Sequence, residues 1–375
     1  MVIQVTEDFL VTPWEVRGDI DYNKLIKQFG TEPITDELLE RIKKHTGKLH
    51  HYLKRKIFFS HRDFGWILDE YERGNKFYLY TGRGPSERVH LGHITVWKFT
   101  KWLQEKFDVE LWFQLTDDEK FLFKEELSIE DTNNMAYENA LDLIALGFNP
   151  KKTFIFSDID YSKTMYKQAL RVAKKLTLST VKATFGFKED NNVGEIFFTT
   201  MQSVPCFLPS VLIEKNIPCL IPLAIDQDAH FRISRDIMPK LGYYKPSLIH
   251  QRFLPSLSGT GKMSSSEGIT IYTTDTPEEV KMKINKYAFS GGRDTVKEHR
   301  EMGGNPDIDA SYQWLVFFEE DDKKLRTIYD NYKSGKLLSG ELKGILIDKL
   351  NDFLSVHQKK RESARKELDK FILRD

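Results

Sequence analysis

Residues 77–107 read FYLYTGRGPSERVHLGHITVWKFTKWLQEKF, and this stretch sets the fold class. Phe77 to Thr81 is a short aromatic and apolar run of the kind that fills a buried strand. Gly82-Arg83-Gly84-Pro85-Ser86 ends it with residues that break regular structure, and Leu91 to Phe107 then carries apolar side chains at helical spacing. The order is strand, glycine-rich loop, helix. Downstream, Leu111–Leu115, Thr153–Phe156 and Cys219–Ile225 are further apolar runs, with helical patterns such as Met135–Leu146 between them. Strands alternating with helices predict βαβ units and a doubly wound parallel sheet. Upstream, residues 1–73 hold short elements, a Pro13-Trp14 turn and a helix over Asp36–Lys44 with Leu38, Leu39 and Ile42 on one face, which predicts an N-terminal extension packing on the sheet domain. Beyond Ile271 the strand signals fade, and Leu342, Leu346, Leu350, Phe353 and Leu354 recur at helical spacing. The expected division is 1–73, 74–270 for the sheet domain, and 271–375 for an all-helical domain. Near its end, Gln358 to Lys366 (QKKRESARK) is a basic helix whose plain reading is a solvated outer face.

A chain of 375 residues exceeds what one compact core usually holds and is far too long for a peptide hormone or minimal scaffold. Lys plus Arg number 56 and Asp plus Glu also number 56, so no bulk attraction to nucleic acid or membrane is available and any polyanion must be met locally. Cys206 and Cys219 are the only cysteines and form no CxxC, which excludes a disulfide framework and makes a zinc site unexpected. The start, MVIQVTEDFLV, has no basic segment followed by a long apolar run, and no stretch of eighteen apolar residues occurs. A cytoplasmic protein without membrane attachment is expected.

Two constellations carry chemistry. Thr81-Gly82-Arg83-Gly84 follows the strand and His90-Leu91-Gly92-His93 opens the helix. Glycines let the backbone approach a phosphate, a helix N-terminus offers unpaired N–H groups, and doubly wound sheets bind ligands beyond their strand ends. Taken alone, HxGH reads as a plain helix start with two histidines; no HExxH or nearby acidic ligand supports a metal pair. Far downstream, Lys262-Met263-Ser264-Ser265-Ser266 lies between Gly261 and Gly268. A lysine among hydroxyls suits a loop that closes on a triphosphate and brings positive charge to the leaving group, although alone the stretch reads as a polar linker.

Together, HLGH and KMSSS in this order resemble the paired signatures of class I aminoacyl-tRNA synthetases, whose catalytic domain is of Rossmann type. Longer stretches narrow the resemblance: YTGRGPS, QLTDDEKFLFK, TFIFSD, LIPLAIDQDAHFR and KYAFSGGRDT, with TPWEV, IDYNKLIKQFG and IFFSHRD nearer the start, are similar to eukaryotic cytoplasmic tryptophanyl-tRNA synthetases. Coverage is nearly end to end. The resemblance implies activation of L-tryptophan by ATP, with Mg²⁺ carried on the ATP phosphates, followed by transfer to the 3′-terminal adenosine of tRNA(Trp). It places Thr81, Gly82, Arg83, Gly84, His90, Gly92 and His93 around ATP, with Lys262, Met263 and Ser264 closing on the triphosphate and Trp14 over the adenine. Arg83, His90, His93, Lys262 and Ser264 are thereby the expected catalytic groups.

For the amino acid, the same resemblance sets Tyr80 and Gln114 at the indole N–H, Glu119, Gln202 and Gln227 near the α-ammonium, and Lys120 near the carboxylate. A site built to accept the indole N–H leaves its own polar groups unpaired against phenylalanine and rejects it by about 10⁴. No editing activity is expected. Asp117 and Asp118 read as a helix-start cluster beside the pocket rather than metal ligands. The sequence departs from the family in having one residue fewer between RGPS and His90, and in Leu223, where a smaller residue is usual. The resemblance further implies a homodimer and a helical end that reads the anticodon; Lys43, Lys44 and Lys48, then Lys54, Arg55 and Lys56, and the helix near Arg361 are compatible phosphate contacts. Two alternatives stand: a tyrosyl-tRNA synthetase, disfavoured by the AIDQDAHF and TDDEK forms, and a catalytically silent RNA-binding paralogue, disfavoured by intact HLGH and KMSSS and by Lys120.

Overall fold

A computed structural model of the chain describes residues 9–11, 16–18, 20–259 and 269–375. Trp14, Lys262, Met263 and Ser264 lie outside the described residues. The strands in chain order are β1 (Phe9–Val11), β2 (Val16–Gly18), β3 (Glu32–Pro33), β4 (Phe58–Arg62), β5 (Tyr78–Arg83), β6 (Leu111–Leu115), β7 (Thr153–Ser157), β8 (Cys219–Ala224) and β9 (Ser247–Gln251). β1 and β2 pair as an antiparallel hairpin. The other seven form one sheet in the order β3-β4-β9-β8-β5-β6-β7.

From β9 to β7 the five central strands are parallel, as the alternation of strands and helices predicts. At the β9 edge, β4 and β3 add antiparallel, so the sheet is mixed rather than wholly parallel. The N-terminal stretch therefore does more than pack on the sheet, because two of its segments are hydrogen-bonded into it. β4 (FFSHR) and β9 (SLIHQ) carry no legible strand pattern in the sequence because each takes polar side chains into a buried strand. Burial of Ser60 and His250 is possible because the Ser60 hydroxyl and His250 Nδ1 lie 3.0 Å apart and satisfy each other.

The chain enters the middle of the sheet at β5, steps outward through β6 and β7, then crosses back to place β8 on the other side of β5. The strand order thus reverses between β5 and β8. In such sheets the helices that follow neighbouring strands leave on opposite faces at this point, and a crevice opens at the carboxyl ends of the two strands.

Several helices begin as their sequences direct. Thr35 accepts a hydrogen bond from Leu38 N ahead of Asp36–Thr46, and Thr276 with Glu279 forms a capping box ahead of Pro277–Tyr287. One apolar core runs from Leu38 and Ile42 through Leu79, Phe99 and Leu111 to Trp314, Leu342 and Leu350, so residues beyond 271 share a core with the sheet. A second core, with Tyr80, Phe156, Met165, Phe207 and Phe231, covers the opposite face. Beyond the long helix Ser339–Ala364, the chain returns to the sheet. Phe371 O accepts from Ile155 N at 2.8 Å and Leu373 N donates to Ile155 O at 2.7 Å, which covers the otherwise open edge of β7. Among the described residues no helix is long and apolar enough to cross a membrane.

Candidate functional site

The crevice at the reversal is a cleft of about 390 Å³. From the end of β5 it takes Thr81, Gly82, Arg83 and Gly84, and from the following helix His90, Gly92 and His93. Glu119, Gln202 and Gln227 close the opposite side. Ten of the residues expected around ATP or tryptophan are thus brought to one cavity. Leu223 forms part of its wall, in line with the departure noted in the sequence.

The two glycines have a more local reason than phosphate approach. A Cβ on Gly82 would sit 2.8 Å from the Gln114 carbonyl oxygen on β6, and one on Gly84 would sit 3.0 Å from Glu119 Oε2. Small residues here let the strand end and the carboxylate close in. His90 caps the helix Leu91–Phe107 with extended backbone, and its Nδ1 accepts from Gly92 N at 3.2 Å. His93 Nδ1 lies 3.2 Å from the same nitrogen, with ring centroids 3.8 Å apart. Because His90 Nδ1 is the acceptor, the hydrogen-bond network assigns its proton to Nε2. On the other side of this helix start, Leu91 N donates to Ile271 O and Thr273 N to Val89 O. The segment that follows the KMSSS stretch is therefore docked beside His90.

At the deep end, Tyr80 OH donates to Gln114 Oε1 at 2.5 Å and accepts from Gln202 Nε2 at 2.9 Å. Gln114 Nε2 in turn donates to both Asp158 oxygens, at 2.9 and 2.8 Å. Tyr80 and Gln114 are buried directly behind the lining, so the expected indole-facing pair is coupled, and Gln202 joins it. Asp158, which the sequence reading missed, fixes the Gln114 amide with its carbonyl toward Tyr80. Burial and the neighbouring Asp118 and Asp117 carboxyls push the Asp158 pKa well above the usual carboxylate range. Burial likewise raises Asp118 to about 6 and Glu119 to about 7, the latter despite a 2.6 Å hydrogen bond from Thr116 Oγ1. Asp117 takes hydrogen bonds from Asn133, Ser157 and Ile159 N and sits in the first turn of Asp117–Leu122, as a helix-start residue. Among the described residues no group of three or more His, Cys, Asp or Glu side chains could hold a metal ion.

One expected residue lies outside the cleft, and a second lines it with its guanidinium turned to another task. Lys120 lines a separate hollow of about 260 Å³ with Ser86, Arg88, Lys124 and Tyr272. Consecutive helix positions diverge by roughly 100°, so with Glu119 facing the cleft its neighbour faces away. Arg83 borders the cleft, but its buried guanidinium is engaged in bracing the loop. Nε donates to Asn139 Oδ1 at 2.6 Å, and Nη2 donates to Ser86 Oγ and to Arg88 O. Asn139 completes the brace by accepting from Ser86 N and donating to Ser86 O. Burial lowers the Arg83 pKa to about 10. Only a helical pattern over 135–146 could have hinted that Asn139 faces inward.

Behind Gln227 lies a paired centre. Asp228 accepts from Arg62 at 2.8 and 2.9 Å and lies 3.0 Å from His250 Nε2. Arg62 also donates to Phe29 O and Gly30 O, which ties the N-terminal region to the turn carrying Gln227. Each basic cluster considered for tRNA has members engaged in ion pairs. Lys43 pairs with Glu40, Lys54 and Arg55 with Asp322, and Arg361 with Asp142 and Glu138.

The family model for class I tRNA synthetases (W and Y) matches residues 72–355. A tryptophan-tRNA ligase from Sulfolobus acidocaldarius is 54% identical over 365 residues, covering 96% of this chain and 94% of that protein. The cytoplasmic tryptophan-tRNA ligase of Saccharomyces cerevisiae is 52% identical over 383 residues, covering 97% and 89%. The resemblance is therefore shared by archaeal and eukaryotic relatives. Among solved structures, tryptophanyl-tRNA synthetase from Plasmodium falciparum matches with a TM-score of 0.88 at 47% identity, over 94% of this chain and 97% of that one.

Proposed function

The chain belongs to the class I tRNA synthetases of the tryptophan and tyrosine group, and on that premise we propose how its residues divide the work of ATP-dependent ligation of tryptophan to tRNA. Coupling of Tyr80, Gln114 and Gln202 at the closed end of the cleft is the observation that carries tryptophan over tyrosine. Indole brings one N–H on a large apolar body, and this cluster offers oxygen acceptors held in place from behind by Asp158. Glu119, Gln202 and Gln227 receive the α-ammonium.

ATP lies across His90, Gly92 and His93, with Thr81 to Gly84 beside it and Mg²⁺ arriving on its phosphates. The tryptophan carboxylate attacks the α-phosphorus in line and pyrophosphate leaves; the 3′-terminal adenosine hydroxyl of tRNA then attacks the acyl carbon and AMP leaves. Positioning and charge stabilisation account for the catalysis. Lys262 and Ser264, with Met263 between them, close on the triphosphate, and Trp14 covers the adenine. Arg83 shapes the ATP loop, and Lys120 lies outside the cleft. No editing site accompanies the reaction.

Residues 271–375 read the anticodon, 74–270 catalyse and 1–73 support them. Tyr166, Leu170, Leu178 and Val193 are exposed apolar side chains on neighbouring helices, a face suited to a homodimer contact. The protein works in the cytoplasm. ATP–pyrophosphate exchange with each amino acid tests the reading: tryptophan supports it, a faster rate with tyrosine selects the sister activity, and no exchange with any amino acid selects the silent paralogue. Lys262→Ala lowers adenylate formation by about 10² to 10³ while tryptophan binding is retained.

A further inference from the structure

Gln251, at the carboxyl end of β9, lines the cleft and is 2% exposed. Its amide nitrogen donates to Thr95 Oγ1 at 2.8 Å. The hydroxyl of Thr95 donates in turn to Gly92 O at 2.7 Å, so its oxygen can serve Gln251 only as an acceptor. The amide orientation is thereby determined: NH₂ toward the helix and carbonyl away from it. That carbonyl oxygen is buried and has no hydrogen-bond partner among the described residues. A buried amide oxygen left unpaired is costly, which marks a place for a donor to arrive.

The position says which donor. The triphosphate belongs at the helix start, where Gly92 and His93 line the cleft, and Thr95 lies three residues further along the helix, about 4.5 Å deeper. The same lining includes the apolar side chains of Val96, next to Thr95 in the chain, and of Phe253 and Leu254, just beyond Gln251, and such faces suit a flat heterocycle rather than a ribose. Of the ATP parts, the adenine ring is flat and apolar on its faces and carries an exocyclic amine on its edge. We infer that the Gln251 side-chain carbonyl accepts a hydrogen bond from the adenine exocyclic amine and makes Gln251 a nucleotide-specificity residue. A base with a carbonyl at that position, such as guanine or hypoxanthine, would set oxygen against oxygen and be rejected.

This inference rests on the cleft binding ATP as proposed above. Tryptophan-dependent pyrophosphate exchange with the full chain tests it, using ATP, 2′-deoxy-ATP, inosine triphosphate and purine riboside triphosphate, which lacks the amine. The wild-type KM is expected to rise about ten-fold for purine riboside triphosphate relative to ATP, and further for inosine triphosphate. Gln251→Leu is expected to raise the KM for ATP by a similar factor, leave the KM for tryptophan unchanged, and match the wild type on purine riboside triphosphate. Gln251→Asn, whose shorter amide cannot span both partners, provides a second variant should the leucine protein fold poorly. Equal KM values for ATP and purine riboside triphosphate in the wild type would overturn the inference, as would a Gln251→Leu loss of the same size with both nucleotides. A loss that follows the ribose hydroxyl of 2′-deoxy-ATP overturns it too. Each of those results leaves tryptophan activation intact, whereas absence of exchange with every nucleotide overturns the functional reading itself.

Discussion

Asp228 and Asp158 are both buried carboxyls just beyond the ends of central strands, β8 and β7, and they are held in opposite directions. Asp228 meets the Arg62 guanidinium at two points and the His250 ring at a third; these hydrogen bonds and charges outweigh its burial and keep its pKa below the usual range. Asp158 meets the neutral Gln114 amide and shares a hydrogen bond with the Asp118 carboxyl, with Asp117 nearby, and burial plus those acidic neighbours push it up. The first centre has its countercharge built in and fastens the N-terminal region to the sheet. The second lacks one, so a cationic ligand group entering beside Glu119 gains more than it would in water. Charge neutrality thus separates a carboxyl that holds the fold from one left without a countercharge.

Removing the built-in countercharge gives the largest expected effect. Asp228→Ala leaves Arg62 largely buried without a carboxylate and is expected to destabilise the chain by about 3–5 kcal/mol, read from urea unfolding at unchanged m. A loss below about 1 kcal/mol would mean that Arg62 finds other partners and that the centre is not a fastening.

Arg83 is the intermediate case, a buried cation served by neutral acceptors. Asn139→Ala removes its Nε partner together with both hydrogen bonds to Ser86. The expected outcome is a drop of about 2 kcal/mol in transition-state stabilisation for ATP, at the scale of losing a buried hydrogen-bond partner. Steady-state exchange against ATP and against tryptophan measures it; the ATP parameters should move, and equal loss for both substrates would show general loosening of the domain.

The unpaired side responds to pH. Glu119, raised to about 7 chiefly by burial, is largely neutral below that pH and must ionise to meet an ammonium. Tryptophan binding therefore releases a proton, and affinity is expected to tighten about ten-fold between pH 6 and pH 8. Stability of the ligand-free chain carries the opposite sign. The folded carboxyl holds its proton more tightly than the unfolded one, so this group's contribution falls as pH rises from about 4.5 to about 7 and is level above. Glu119→Gln is expected to flatten both profiles. Calorimetric titration in two buffers of different ionisation enthalpy checks the proton release, and an unchanged pH slope in the variant would assign the effect to Asp118.

How much of this was legible in the sequence follows the same division. The run from Tyr78 through Phe107 announced itself because its apolar residues keep strand and helix periods, and its glycines and histidines are local to one another. β4 and β9 were silent because Ser60, His61, His250 and Gln251 look like surface residues until the partner 190 positions away is known. Asp158 follows an apolar strand and reads as a turn residue; its burial depends on Gln114, a strand away. The helix near Arg361 looked like a solvated basic face, yet Arg361 meets Asp142, which also lies 2.8 Å from the buried His357 ring. Motif and period expose local chemistry, whereas long-range polar pairing leaves no period in the sequence.

The smallest expected effect comes from the same helix and isolates burial as the variable. Arg361 and Arg365 both reach Glu138, at 3.0 and 2.5 Å, but Arg361 is 13% exposed and also holds the buried Asp142, whereas Arg365 is 49% exposed. Contact distance alone ranks Arg365 first. Solvent screening reverses that order, because water and salt solvate the Arg365 guanidinium almost as well when the pair is open. Arg365→Gln is expected to change stability by less than about 0.5 kcal/mol, and that small change should vanish in 0.5 M salt. Arg361→Gln leaves Asp142 to His357 alone and is expected to cost several times more, with little salt dependence. Equal losses for the two variants in urea unfolding would mean that distance rather than burial sets the worth of these pairs, and the contrast between Asp228 and Asp158 would then need a different cause.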